Sequence, residues 1–190
     1  FVSFLVLGGT YIFLDMICGT VAEKGCGTNI KMASGIFILY YLSVALLPYA
    51  FFCYVRIITG IQKEKYKWLK TAWIILPTGM ALAVVLNVKS RWLFYFTEDG
   101  QLVSGSYHDL LYMYIVLLGG IISYFTARYG KTTEIEIRRT IWRFLGIEAC
   151  CLAIQVFTGR VLLTGFGVAA GLWLIYLTLN NPGDYTDSMT

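Results

Sequence analysis

Long apolar runs alternate with short polar, charged breaks along the whole chain. Six such runs can be drawn, over about 1–22, 32–59, 68–88, 110–127, 141–157 and 161–180. Each is close to the ~20 helical residues that cross a bilayer core of ~30 Å at ~1.5 Å per residue. The first is interrupted only by Asp15, and the second carries no charge between Ala33 and Tyr54. Pro48 and Pro77 fall inside the second and third runs; spanning helices tolerate proline where neighbours satisfy the freed carbonyls. The fifth is the weakest, because Glu148 and Gln155 break it. The sixth is free of charge from Val161 to Leu179 and stops at Asn180-Asn181-Pro182-Gly183, a sequence that cannot continue a helix.

One break differs from the rest. Between 92 and 105, aromatic and β-branched residues flank Glu98-Asp99-Gly100, and Asp-Gly is a strong hairpin signal. The pattern predicts a small β-hairpin over one end of the helices, with Trp92, Phe94 and Phe96 packed on helix ends or lipid headgroups.

Composition agrees with the runs. Of 190 residues, 58% are hydrophobic and 14% charged, against ~25% charged in soluble domains. The expected fold class is an all-α integral membrane protein, a six-transmembrane-helix bundle with a small extracellular hairpin. Charge then orients it. Ten Lys and Arg (56, 63, 65, 67, 70, 128, 131, 138, 139, 143) fall at one set of helix ends and five (24, 31, 89, 91, 160) at the other. The richer side is expected to be cytoplasmic, which puts the hairpin outside and Phe1 and the polar tail at 181–190 inside. Phe1 lies within an apolar run, so both ends are expected to be cut; a signal peptide fits less well, given Asp15 and the length of the run.

Two acids inside predicted spans are the first candidates for chemistry. Asp15 and Glu148 fall roughly 10 Å and 15 Å below the outer ends of their helices, where charge is costly by at least ~2.5 kcal/mol and marks either function or a locked packing contact. Cys151 and Gln155 follow Glu148 on one helical face, and Tyr11 precedes Asp15 on its own. Tyr40, Tyr41, Asn87, Tyr112 and Tyr114 fall in the same outer half. The functional reading is a polar, aromatic-lined cavity open to the outside; the plain reading is helix packing and interfacial tyrosines. Gly167 and Gly171 make a Gly-x-x-x-Gly pair, either a seam between two copies or packing within one bundle. The basic stretch 63–67 either contacts anionic lipid or only sets topology. The residues 134–143 form an amphipathic lead-in to the fifth helix. The five cysteines and His108 have no metal-binding spacing; Cys18 and Cys26 could pair locally, but thiols buried in the bundle fit all five better. Without a nucleophile–base pair, a phosphate loop or a metal cluster in the sequence, this chain is not expected to be an enzyme or to hold a cofactor or nucleic acid.

The tail, Asn181-Pro182-Gly183-Asp184-Tyr185-Thr186-Asp187-Ser188-Met189-Thr190, resembles the junction before a GGDEF-type diguanylate cyclase domain. There a pattern like Asn-Pro-x-x-x-x-Asp-x-Leu-Thr precedes Gly-Leu-x-Asn-Arg; here Met189 replaces the usual Leu. Leu14-Asp15-Met16, Leu47-Pro48-Tyr49 and Phe94-Tyr95-Phe96-Thr97-Glu98-Asp99-Gly100 look like the matching pieces of multi-helix sensor regions upstream of such domains in Gram-positive anaerobes. The resemblance implies a bacterial plasma-membrane sensor for an extracellular or membrane cue, dimeric through the intact protein. It implies one further helix before Phe1 (seven in all, with the N-terminus outside) and a linker at 181–190 in which Pro182 marks the joint and Asp187 the motif. It also implies an output domain that uses GTP and Mg²⁺ to make cyclic di-GMP. Similar regions precede sensor histidine kinases, and a small transporter or channel is the alternative from another class, although no inverted repeat is visible.

Overall fold

The computed structural model describes residues 2–26, 29–58, 67–130, 135–158 and 162–180. The elements run α1 (Val2–Lys24), α2 (Ile30–Ile58), α3 (Lys67–Ser90), β1 (Phe94–Phe96), β2 (Leu102–Ser104), α4 (Asp109–Tyr129), α5 (Ile135–Thr158) and α6 (Leu162–Asn180). Helix α5 starts earlier than the hydropathy pattern predicts. Its amphipathic lead-in is helical, with Arg139 paired to Glu136 at 2.7 Å.

Among the described residues, α1, α2, α4 and α5 are long and apolar enough to cross a membrane, and α3 and α6 contain shorter apolar stretches, Ile74–Ser90 and Thr164–Thr178. Large apolar side chains also cover the outside: Phe13, Ile75, Val88, Met113, Phe157 and Phe166 are all exposed. A soluble monomer rarely carries so much contiguous apolar surface, whereas a bundle in lipid has no reason to hide it.

Five helices close a ring in the order α2, α1, α6, α5, α4 and back to α2, with α3 packed on the outside of α2. Of the neighbouring pairs in that ring, α4 and α5 pack most sparsely. One end is filled by aromatics: Phe51 lies 4.3 Å from Phe144 ring to ring, and Phe4 and Tyr54 pack beside them. Thr140 and Thr178 share a hydrogen bond of 2.8 Å that ties α5 to α6. Near Pro48, which has no N–H to give its own helix, Tyr114 of α4 donates to the Ala45 carbonyl at 2.6 Å.

The other end carries the two-stranded ribbon. Phe94, Tyr95 and Phe96 pair antiparallel with Ser104, Val103 and Leu102. Gly100 has φ 74° in the connecting turn, a conformation glycine adopts without a Cβ penalty. The ribbon is fixed to α3 by one side chain: Asn87 Oδ1 accepts from the Leu93 N–H at 2.7 Å, and Asn87 Nδ2 donates to the Phe94 carbonyl at 2.9 Å.

Pro182 and Asp187 lie outside the described residues, as do Lys63, Lys65, Lys131 and Arg160. No disulfide joins Cys18 to Cys26. Cys150 corrects the expectation of thiols buried in the bundle, because it is exposed on α5; Cys26 and Cys53 are half-buried.

Candidate functional site

The ring encloses a cavity of about 690 Å³, within the ~300–1,000 Å³ of small-molecule sites. Its walls come from α1, α2, α4, α5, α6 and both strands of the ribbon. Most of the lining is apolar or aromatic, and polar groups occupy a few defined places.

The aromatic wall forms because α2 presents Phe37, Tyr40, Tyr41 and Val44 at helical spacing on one buried face. Tyr11 of α1 stacks on Tyr40 at 5.6 Å, Tyr40 meets Tyr41 edge to face at 5.5 Å, and Tyr41 stacks on Phe94 of β1 at 4.8 Å. The row therefore runs from the cavity wall into the ribbon. Buried tyrosine hydroxyls need partners. Tyr11 donates to Thr164 Oγ1 of α6 at 2.8 Å, and the Tyr41 hydroxyl lies 3.3 Å from His108 Nδ1.

Asp15 stands behind this wall rather than in it. It is almost wholly buried, and the Tyr40 hydroxyl and the Gly165 backbone N–H act as its hydrogen-bond donors. Gly165 belongs to the first turn of α6, whose N–H groups have no partner within the helix and favour an anion. A carboxylate from α1 thus caps α6. Asp15 Oδ1 still has no partner.

On α5, Glu148, Cys151 and Gln155 face inward together. Gln155 donates to the Tyr112 hydroxyl at 3.4 Å. Glu148 Oε1 and Gln155 Oε1 are buried acceptors without any donor. Such atoms are uncommon in native structures, since leaving one unpaired costs about 1–3 kcal/mol.

Of the ten residues expected around the cavity, six line it: Tyr11, Tyr40, Tyr41, Tyr112, Glu148 and Gln155; Tyr114 turns to the Ala45 carbonyl and Cys151 to Gly167 of α6 instead. Asp15 touches it through Tyr40 and the start of α6. Asn87 does not line it; its side chain is spent on Leu93 and Phe94, so its role is to hold the ribbon. Gly167 and Gly171 turn toward α5 of the same chain. A Cβ on Gly167 would press on Cys151, and one on Gly171 would overlap Phe144, so in this structure the glycine face is filled by packing inside the bundle. Sequence reasoning missed Thr164, His108 and Asp109. Thr164 sits next to the first glycine of α6, and His108-Asp109 opens α4 with a titratable pair, a signal that only the folded ring connects to Glu148.

Among the described residues, no group of His, Cys, Asp and Glu is placed to hold a metal ion. No protein-family model, curated protein or solved structure matches the chain.

Proposed function

We propose that this chain is the signal-input module of a bacterial plasma-membrane receptor. In this reading all six helices cross the bilayer, the ribbon lies outside, and the tail after α6 leads to a cytoplasmic output domain. The observation that carries it is the set of three buried, donorless oxygens, Asp15 Oδ1, Glu148 Oε1 and Gln155 Oε1, arranged in and beside a cavity of ligand size. A bundle held only by packing gains nothing from leaving them unpaired.

The coupling runs through α6. Its first turns meet Asp15 and Tyr11 on one side and Glu148 and Cys151 on the other, so a ligand drawn to Glu148 changes what α6 packs against. A ligand that binds one placement of α6 better than another shifts the population toward it. The output that fits the tail resemblance is a diguanylate cyclase acting as a dimer on GTP with Mg²⁺. A histidine kinase is the alternative output. The transporter reading is less well supported, because Phe51 and Phe144 pack across the end of the cavity away from the ribbon.

The test is made in the intact protein in its own membrane, by measuring cellular cyclic di-GMP for wild type, Asp15→Asn and Glu148→Gln at matched abundance. Either variant should change the level several-fold. Wild-type levels in both would overturn the cavity as the input site, and no cyclic di-GMP from the intact protein under any condition would overturn the cyclase output.

A further inference from the structure

The cavity has a direction. Tyr112, His108, Asp109 and Gln155 gather at the ribbon end, while Glu148 sits two helical turns deeper on α5, about 10 Å from Gln155 along the axis. The space between is walled mainly by aliphatic side chains and aromatic faces. The cavity also opens sideways. Val116 and Gly120 of α4 and Ala149 and Val156 of α5 border it and are exposed, and open space lies where side chains on Gly119 and Gly120 would begin.

Both donorless oxygens in the lining are acceptors, and Asp109 adds a second carboxylate at the rim. An anion would find no Lys or Arg among the described lining residues to pair with, and a purely apolar guest would leave Glu148 and Gln155 as unsatisfied as they are in its absence. A cation with N–H groups supplies what is missing, and tyrosine and phenylalanine faces add cation–π attraction where water is excluded.

We infer that the cavity binds an amphiphilic organic amine, with an ammonium group at Glu148, an apolar chain along the aromatic wall, and a second hydrogen-bond donor at Gln155. This rests on the reading of the cavity as a ligand site. The side opening between α4 and α5 suits a guest that partitions into lipid before it enters.

Four probes with the same eight-carbon chain separate the contributions: diaminooctane, octylamine, octanol and octanoate. Binding is measured by titration calorimetry on the chain in lipid nanodiscs, with empty nanodiscs subtracted for partitioning. Diaminooctane should bind most tightly and octylamine next, with octanol and octanoate at least tenfold weaker than octylamine. Glu148→Gln should abolish the preference of octylamine over octanol, and Glu148→Asp, which keeps the charge, should restore it, so that loss of binding cannot be mistaken for loss of fold. Gln155→Leu should remove only the advantage of diaminooctane over octylamine. Octanol or octanoate binding as tightly as the amines, equal affinity for the two amines in the wild type, or an unchanged amine preference in Glu148→Gln would each overturn the inference. Because no nucleotide is measured, this outcome is independent of the cyclic di-GMP test: amine binding without a signalling change would sink the receptor reading alone, and a signalling change without amine binding would sink the ligand class alone.

Discussion

The carboxylate of Asp15 on α1 occupies the place where a side chain on Gly165 of α6 would begin. Two helices far apart in sequence are therefore joined by an anion set on a helix start, inside an apolar bundle. Close approach needs glycine at 165, and the helix start gives the buried acid its N–H donor. Each residue explains the other.

Gly165→Ala should accordingly be costly. The added methyl collides with Asp15, and overpacking of this kind destabilises by about 1–3 kcal/mol. Gly120→Ala, where open space lies at the same position, should be close to neutral. Thermal unfolding of the purified chain in one mild detergent compares them. The double variant Asp15→Ala, Gly165→Ala should lose less than the sum of the single losses, because the two groups share one space; strict additivity would mean that they do not touch.

Gly171 and Phe144 make the same kind of contact nearer the aromatic end. Gly171→Leu should lower thermal stability and leave the oligomeric state, read by light scattering in detergent, unchanged. If instead it shifted the oligomeric state at constant stability, the glycine face would belong to a seam between copies. Phe144→Ala in the same chain should recover part of the loss by vacating the ring's space.

Asn87 gives a local prediction. Its amide satisfies the Leu93 N–H just before the ribbon's first strand and the Phe94 carbonyl within it, and leaving a buried backbone group unpaired costs about 1–3 kcal/mol. Asn87→Leu should raise amide exchange over 93–104 by about tenfold or more and leave exchange in α1 and α5 unchanged. Equal loosening of the helices would make Asn87 a global packing residue instead of an anchor for the ribbon.

These contacts mark how far the sequence can be read. The helices follow from apolar runs of the right length, and the turn of the ribbon from Asp99-Gly100, because both signals are local. The inward faces of α1 and α5 were legible because Asp15, Glu148 and Gln155 cannot cheaply face lipid. Asn87 was misplaced for an equally physical reason. A polar residue near a helix end satisfies either a cavity or a neighbouring loop, and the choice depends on where Leu93 and Phe94 fold back. Thr164 and His108 were missed because their partners, Tyr11 and Tyr41, lie far along the chain, at distances no periodicity reports. Gly165 carries no signal of its own in the sequence, because its meeting with Asp15 depends on which helices become neighbours in the ring.

The orientation of the bundle can be tested directly, since charge alone assigns it. Glu98 is exposed at the tip of the ribbon and Glu136 in the first turn of α5 at the opposite end. On the Lys and Arg excess, the first is expected outside the cell and the second inside. In a background with the five native cysteines replaced, Glu98→Cys should react with a membrane-impermeant maleimide on intact cells. Glu136→Cys should react only after the membrane is opened. The reverse pattern would turn the bundle over, placing the ribbon and the polar end of the cavity in the cytoplasm. Labelling of both on intact cells would mean that the ends lie on one side, which is incompatible with helices that cross the bilayer between them.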